Sequence, residues 1–289
     1  MSAVLLACCS AALFGALAVA VRFGLRRADD PVLGALVTVT VALVVTAAIG
    51  VAASAREGAD ASELWPFLVA GAIAPGVSQL LFTHAVREAG AARTAVVMGA
   101  APLVSVAIAL AVLDEPLRVP LVVGALLIVA GGIALAGERV RPTDFRHLGI
   151  AFAVGATLMF AVRDNLLRWL AGHTDTHALV TAPVTLLAGA GTVAVYLVAT
   201  RGRAWAAGGR DAVRAFLPSG LLFGLSYSAL FEAFYRGRVT VVAPLVATES
   251  LWGVLFAALL LQRTELVGRR LVLGAVLIVA GAALIGAWR

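Results

Sequence analysis

The stretch from Glu115 to Gly131 occurs twice in this chain, and that repetition limits the fold more than any other feature. A shift of 150 residues carries Glu115 onto Glu265, Gly124 onto Gly274 and Gly131 onto Gly281. Ten of the seventeen aligned positions are identical, too many for chance in an Ala/Leu/Val-rich chain. Each copy is an acidic residue followed by an apolar run of about 20 residues, enough to cross a bilayer's hydrocarbon core as one helix. Two weaker echoes extend the match. Ala20-Val21-Arg22 with Leu25 and Arg27 returns at Ala161-Val162-Arg163 with Leu166 and Arg168, offset 141. Phe67-Leu68, Gly71, Leu81-Phe82 and Arg87 return at Phe216-Leu217, Gly220, Leu230-Phe231 and Arg236, offset 149. The chain therefore divides into residues 1–143 and 144–289, a period far beyond that of solenoid arrays.

With 62% hydrophobic and 13% charged residues and a mean hydropathy of +1.02, the chain cannot hide its apolar surface as a soluble domain does. Soluble domains carry roughly a quarter charged residues. It reads as a polytopic, all-α membrane protein with the lipid bilayer as its solvent. The net charge of +6 comes from arginines between apolar segments. It bears on membrane orientation and makes no case for nucleic acid. Cys8 and Cys9 are adjacent inside the first apolar segment, so they cannot staple distant elements and have no metal-ligand spacing. That segment runs on to Val21 with no basic residue before it, which favours a retained first helix over a removable signal.

Hydropathy divides the first half into Ala3–Phe23, Pro31–Ala53, Leu64–Val86, Ala91–Leu113 and Leu117–Gly137. The second half gives His147–Leu170, Thr176–Thr200, Phe216–Tyr235, Val239–Leu261 and Val267–Trp288. Ten transmembrane helices are thus expected, as two five-helix repeats. Five is odd, so the second repeat must enter the membrane from the opposite side. Inverted repeats of this kind are associated with secondary transporters whose site lies between the halves near mid-membrane.

Leu13-Phe14-Gly15 in the first span, Pro102 in the fourth, Leu113-Asp114-Glu115 closing it and the Gly124/Gly131 helix after it resemble the EamA family of the drug/metabolite transporter superfamily. The second half adds Val241-Val242-Ala243-Pro244-Leu245, then Glu265 and the Gly274/Gly281 helix, and the resemblance covers the whole chain. Gln262-Arg263-Thr264-Glu265 departs from it by lacking a Gly-Glu pair. The resemblance implies a carrier of small metabolites, amino acids or drug-like solutes, working by alternating access as an exporter in the bacterial plasma (inner) membrane, with no cofactor and with protons as a candidate coupling ion. It also implies cytoplasmic termini. The arginine count favours the reverse: of 22 arginines, seven fall in loops so placed inside and fifteen in those placed outside. A flippase for an amphipathic lipid-linked substrate is the alternative within transport. An integral-membrane enzyme is the alternative outside it, but no phosphate-cradling Gly-rich loop, His-Glu-x-x-His, Asp-rich or serine-nucleophile motif supports it.

Charge at membrane depth costs roughly 2.5–3.5 kcal/mol per residue on insertion scales, so each such residue needs a reason. Glu249 lies deepest, in the ninth span, with Leu245, Trp252 and Phe256 on its face. It is either a protonatable carboxylate or counter-ion for a cationic substrate, or a neutral, hydrogen-bonded structural group. Glu232 stands one turn before Arg236, where an i,i+4 ion pair is the plainer reading. Tyr227 and Ser228 offer hydroxyls to a cavity, and the third span offers Ser78, Gln79 and His84. For His84, interfacial anchoring competes with a substrate role. Arg22 and Arg163 are equivalent by the repeat and lie toward opposite faces, as gate or carboxylate-binding residues or as snorkelling side chains. Asp164 and Arg168 are spaced to pair with each other. Glu115 and Glu265 read as caps of the helices they precede, and the Gly-rich fifth and tenth helices as scaffold packing or a homodimer contact.

Overall fold

The computed structural model describes residues 2–54, 63–89, 97–98, 100–136, 147–202, 209–261 and 269–288. They form helices α1 (Ala3–Arg27), α2 (Pro31–Ser54), α3 (Trp65–Gly71), α4 (Ser78–Ala89), α5 (Ala101–Val112) and α6 (Val119–Ala136). The second half follows with α7 (His147–His173), α8 (Ala178–Arg201), α9 (Gly209–Arg236), α10 (Val239–Val246), α11 (Glu249–Leu261) and α12 (Arg269–Trp288). Among the described residues, six helices are long and apolar enough to span a membrane: Ala3–Arg27, Pro31–Ala52, Trp65–Ala85, Leu148–His173, Ala178–Arg201 and Gly209–Arg236. The apolar helices Ala101–Val112, Val119–Ala134, Val239–Gly253 and Val276–Ile285 fall on the other four expected segments but are shorter.

Local chemistry sets the helix ends. Ser2 Oγ accepts from the Leu5 amide at 3.3 Å. The Asp30 carboxylate accepts from the Val32 and Leu33 amides at 3.1 Å each, and Pro31, which has no N–H to satisfy, takes the first helical position. The helix α9 starts at Gly209, so Arg210, Asp211 and Arg214, expected in a loop, are helical. Hydropathy marks only the part of a helix that meets lipid. Asp211 in the first turn and Arg236 in the last both favour the longer helix through its dipole.

The halves pack about an internal two-fold relation, most plainly at α6 and α12. A Cβ placed on Gly124 would fall 2.9 Å from the Gly281 carbonyl oxygen, and one on Gly131 2.7 Å from the Gly274 carbonyl oxygen. Contacts of 124 with 281 and 131 with 274 make the helices antiparallel, and the 150-residue shift exchanges the two pairs. Only glycine lets the backbones approach this closely. The helices α2 and α9 run parallel, Gly220 against Val41 and Gly224 against Val45. The third span and α8 repeat the arrangement, with Gly71 against Thr185 and Pro75 against Gly189.

Among the described residues, three expected spans are interrupted. The third widens over Ala72–Val77, where Ala74 is extended (φ −146°, ψ 119°) before Pro75. The ninth breaks at Ala247-Thr248, three residues after Pro244, so that Glu249 opens α11. In the fourth, Val97 and Met98 are helical, Ala100 is in a turn and Pro102 lies in the first turn of α5. Glu115 corrects the cap expectation. Its two carboxylate oxygens accept from the Val239 and Thr240 amides at 2.8 and 3.0 Å, capping α10 of the other half rather than its own helix. Glu265 lies outside the described residues.

Candidate functional site

The helix α7 carries Ala161-Val162-Arg163-Asp164-Asn165, and all but Val162 are buried. The guanidinium of Arg163 donates from Nε and Nη2 to Asp164 Oδ1, at 3.0 and 2.7 Å. Its carbon sits 4.9 Å from the centre of the Phe160 ring and 5.7 Å from that of Tyr227. The expected Asp164–Arg168 pair is therefore replaced by an Arg163–Asp164 pair. Arg168 instead donates through Nη1 to the Phe234 carbonyl at 3.2 Å, where the end of α9 leaves carbonyls without helical donors.

Tyr227 is fully buried, and its hydroxyl donates to the Ala74 carbonyl at 3.3 Å, inside the widened turn of the third span. Freed backbone groups are tolerated at membrane depth where protein covers them or they line a cavity. One residue before, Ser226 Oγ donates to the Ser10 carbonyl at 2.9 Å and Ser10 Oγ to the Ser226 carbonyl at 3.0 Å, fixing α1 against α9. The half-buried Glu249 lies within electrostatic reach of both Arg163 and Asp164. Trp252 stacks near Phe256, with ring centres 5.9 Å apart, and its backbone presses on Gly15 of α1.

The remaining expected residues scatter around this cluster. Ser78 is fully buried at the end of the widened turn with its hydroxyl unpartnered, and Gln79 beside it is buried. Ser228 donates back to the Gly224 carbonyl at 3.0 Å. Glu232 accepts from Arg236 Nε at 2.7 Å. His84 lies against Phe152 with ring centres 5.6 Å apart, and its buried Nε2 has no partner. Arg22 is exposed on a shallow surface groove with Val19, Phe23 and Arg26, apart from the cluster.

Sequence reading gave no weight to Asn165 and Ser105. Asn165 Nδ2 donates to the Ser105 and Ala161 carbonyls at 3.0 and 2.9 Å, joining α7 to α5 across the two halves. An amide directly after a charged pair in an apolar span was the available signal. Among the described residues no group of three or more His, Cys, Asp or Glu is placed to hold a metal. A cleft of about 500 Å³ opens at the end of the molecule that carries the C-terminal helix end, where Arg118 reaches the Trp288 carbonyl. Its wall includes Glu115, Arg168, Trp169, His173 and Arg238. Arg168 lies one turn from Asp164, so the cleft leads toward the buried charges without containing them.

Two repeated halves packed through their glycines, apolar spans and interrupted helices describe a multi-pass membrane protein. The sequence profile of the EamA-like transporter family matches residues 1–136 and 147–287. The chain belongs to that family. A crystal structure with 21% sequence identity superposes with a TM-score of 0.79, over 99% of this chain and 99% of its own. No curated protein matches the chain.

Proposed function

We propose that this protein is a secondary transporter that moves small metabolites, amino acids or drug-like solutes by alternating access. We place its solute site at the Arg163, Asp164, Tyr227 and Glu249 cluster, and we read it as an exporter of the bacterial inner membrane. The observation that carries the reading is where the charges sit. Arg163 and Asp164 are buried, they meet Tyr227 at the opened turn of the third span, and Glu249 starts α11 at the break of the ninth. A static scaffold gains little from charges there, because replacing a buried ion pair with apolar side chains is often neutral or stabilising. Discontinuous helices around buried charges instead give a solute dipoles and exchangeable partners. The cleft beside Arg168 serves as the mouth on one side. Trp252, Ser78 and Gln79 line the path near the breaks, while Ser228, Glu232 and His84 flank it.

Glu249 handles the exchangeable positive charge, either a proton or a cationic solute. Glu249→Gln keeps the size and one hydrogen-bonding oxygen while removing the titratable group. In proteoliposomes assayed from about pH 5.5 to about pH 8, the variant is expected to fold normally but lose pH-dependent or cation transport. Transport with an unchanged pH profile would remove Glu249 from the mechanism.

A further inference from the structure

The cleft of about 500 Å³ beside Arg168 opens where membrane spans end, between the end of α5, the last turns of α7 and the residue before α10. Charges of both signs face it. Arg168 reaches the Phe234 and Tyr235 carbonyls through Nη1 alone, which leaves the donors of Nε and Nη2 for a ligand. Arg238 is exposed on the same cleft and, among the described residues, makes no ion pair. Of the two carboxylates in the wall, Glu115 already accepts an amide with each oxygen. Asp114, exposed and unpaired among the described residues, is the one left for a ligand. Beside the charges the wall is flat and apolar. His173 Nδ1 donates to the Trp169 carbonyl at 2.7 Å, and the two rings stack with centres 4.4 Å apart. Trp169 is exposed, and the exposed Val162 and Leu158 continue its face of α7 toward the middle of the span.

We propose that this cleft holds the headgroup of a phospholipid with a primary ammonium, a phosphatidylethanolamine. Its phosphate meets Arg168 and Arg238, its ammonium meets Asp114, and an acyl chain runs along Trp169, Val162 and Leu158. The proposal goes beyond the transport reading and does not depend on it. Two guanidiniums on one cleft suit a phosphate, which they bind through charge-assisted hydrogen bonds. Basic pockets between spans at the membrane surface are where lipid headgroups bind. The free carboxylate selects among headgroups, because it repels a purely anionic one and pairs with an ammonium. The apolar stripe selects the lipid over a water-soluble zwitterion, which would leave that stripe unused. An indole at the end of a span sits at headgroup level, as interfacial tryptophans do. The volume falls within the range of ligand clefts.

Thermal unfolding of the purified full-length protein in a neutral detergent tests this. Phosphatidylethanolamine, phosphatidylcholine and phosphatidylglycerol with the same acyl chains are titrated in turn, and then glycerophosphoethanolamine, the first headgroup without chains. Phosphatidylethanolamine is expected to raise Tm saturably by about 3 °C or more over phosphatidylcholine. Arg238→Gln and Asp114→Asn should each raise the half-saturating amount about fivefold or more. Asn also tolerates the left-handed backbone at 114 (φ 50°), so that variant keeps the local fold. A Cβ on Gly172 meets nothing within 4 Å, so Gly172→Trp adds bulk to the cleft wall without a clash and should remove the response. Arg22→Gln, away from the cleft, should leave it unchanged. Equal curves for phosphatidylethanolamine and phosphatidylcholine overturn the proposal, as does an unchanged response in Asp114→Asn or Gly172→Trp. A phosphatidylglycerol effect as large as that of phosphatidylethanolamine removes the role of Asp114 and overturns it too. Glycerophosphoethanolamine acting as well as the lipid assigns the cleft to a water-soluble phosphate, which also overturns it.

Discussion

The two halves share a backbone but not a chemistry. Arg163, Asp164 and Asn165 correspond by the repeat to Arg22, Phe23 and Gly24, and Tyr227 corresponds to Ser78. In the second half these residues form a buried ion pair, a carbonyl-bound amide and a ring under the guanidinium. In the first half Arg22 and Phe23 are exposed on one helix face. The first half lends the cluster neutral groups instead, namely the Ala74 and Ser105 carbonyls. The contact between α6 and α12 is the opposite case, the same glycines meeting in both halves. Duplication supplies the frame, and divergence of one half supplies the charges buried within it.

Removing each arginine breaks this comparison most sharply. Arg163→Ala leaves Asp164 buried without its cation, a change that costs about 3–5 kcal/mol. Arg22→Ala removes an exposed side chain and should stay within about 0.5 kcal/mol of the parent. Chemical unfolding of both variants reads the difference, and equal losses would sink the asymmetry.

The frame itself is probed at Gly131. A Cβ there would meet the Gly274 carbonyl oxygen at 2.7 Å and the backbone nitrogen of Ile278 at 3.0 Å, neither of which yields like a flexible side chain. Gly131→Ala is expected to cost about 1–3 kcal/mol through forced separation of α6 and α12. Gly132→Ala next to it, with only Ser250 Oγ at 3.6 Å, is the control and should be near neutral. If the two behave alike in thermal unfolding, the close approach of the backbones is not what holds this contact.

The repeat and the helical class could be read from the sequence because each leaves a local trace: a shifted motif and apolar runs. The cluster was only partly legible. Arg22 and Arg163 share the local sequence Ala-Val-Arg, and what separates them is the next residue, Phe23 or Asp164, together with the helices that cover α7. The i,i+4 spacing of Asp164 and Arg168 suggested a pair, but the carbonyls ending α9 claim Arg168, and no local pattern announces them. Asn165 and Ser105 lie 60 residues apart in the chain, so only the packing of α5 on α7 brings them together.

Glu115 tests whether the halves are fastened at the end that carries the cleft. Its carboxylate satisfies two amides at the start of α10, where four lack helical acceptors. Glu115→Ala should cost about 1–2 kcal/mol, within the range of lost caps. Glu115→Gln retains one accepting oxygen and should recover part of that loss. Differential scanning fluorimetry on the three proteins would show the order, and a Gln variant no better than Ala would remove the capping explanation.

The opposite fastening, at the start of α2, should show the smallest effect and the clearest pH dependence. Asp30 caps α2 and pairs with Arg201 at the end of α8, joining the halves as Glu115 does but nearer to water. Partial burial pushes the Asp30 carboxyl upward, but the Arg201 hydrogen bond and charge and the Leu33 and Val32 amides outweigh it and hold the group below the usual carboxylate range. A carboxyl depressed in the folded state stabilises above its unfolded value, about 3.9, and loses that contribution as pH falls through the folded one. Arg201 is about a third exposed, so solvent screening keeps the pair itself within about 1 kcal/mol. Asp30→Asn keeps one accepting oxygen for the cap and removes the charge. It should lower Tm slightly at pH 7, by less than Glu115→Ala does, and the gap to the parent should close as pH falls below about 4. A gap of the same size at both pH values would mean that the cap alone, and not the ion pair across the halves, accounts for Asp30.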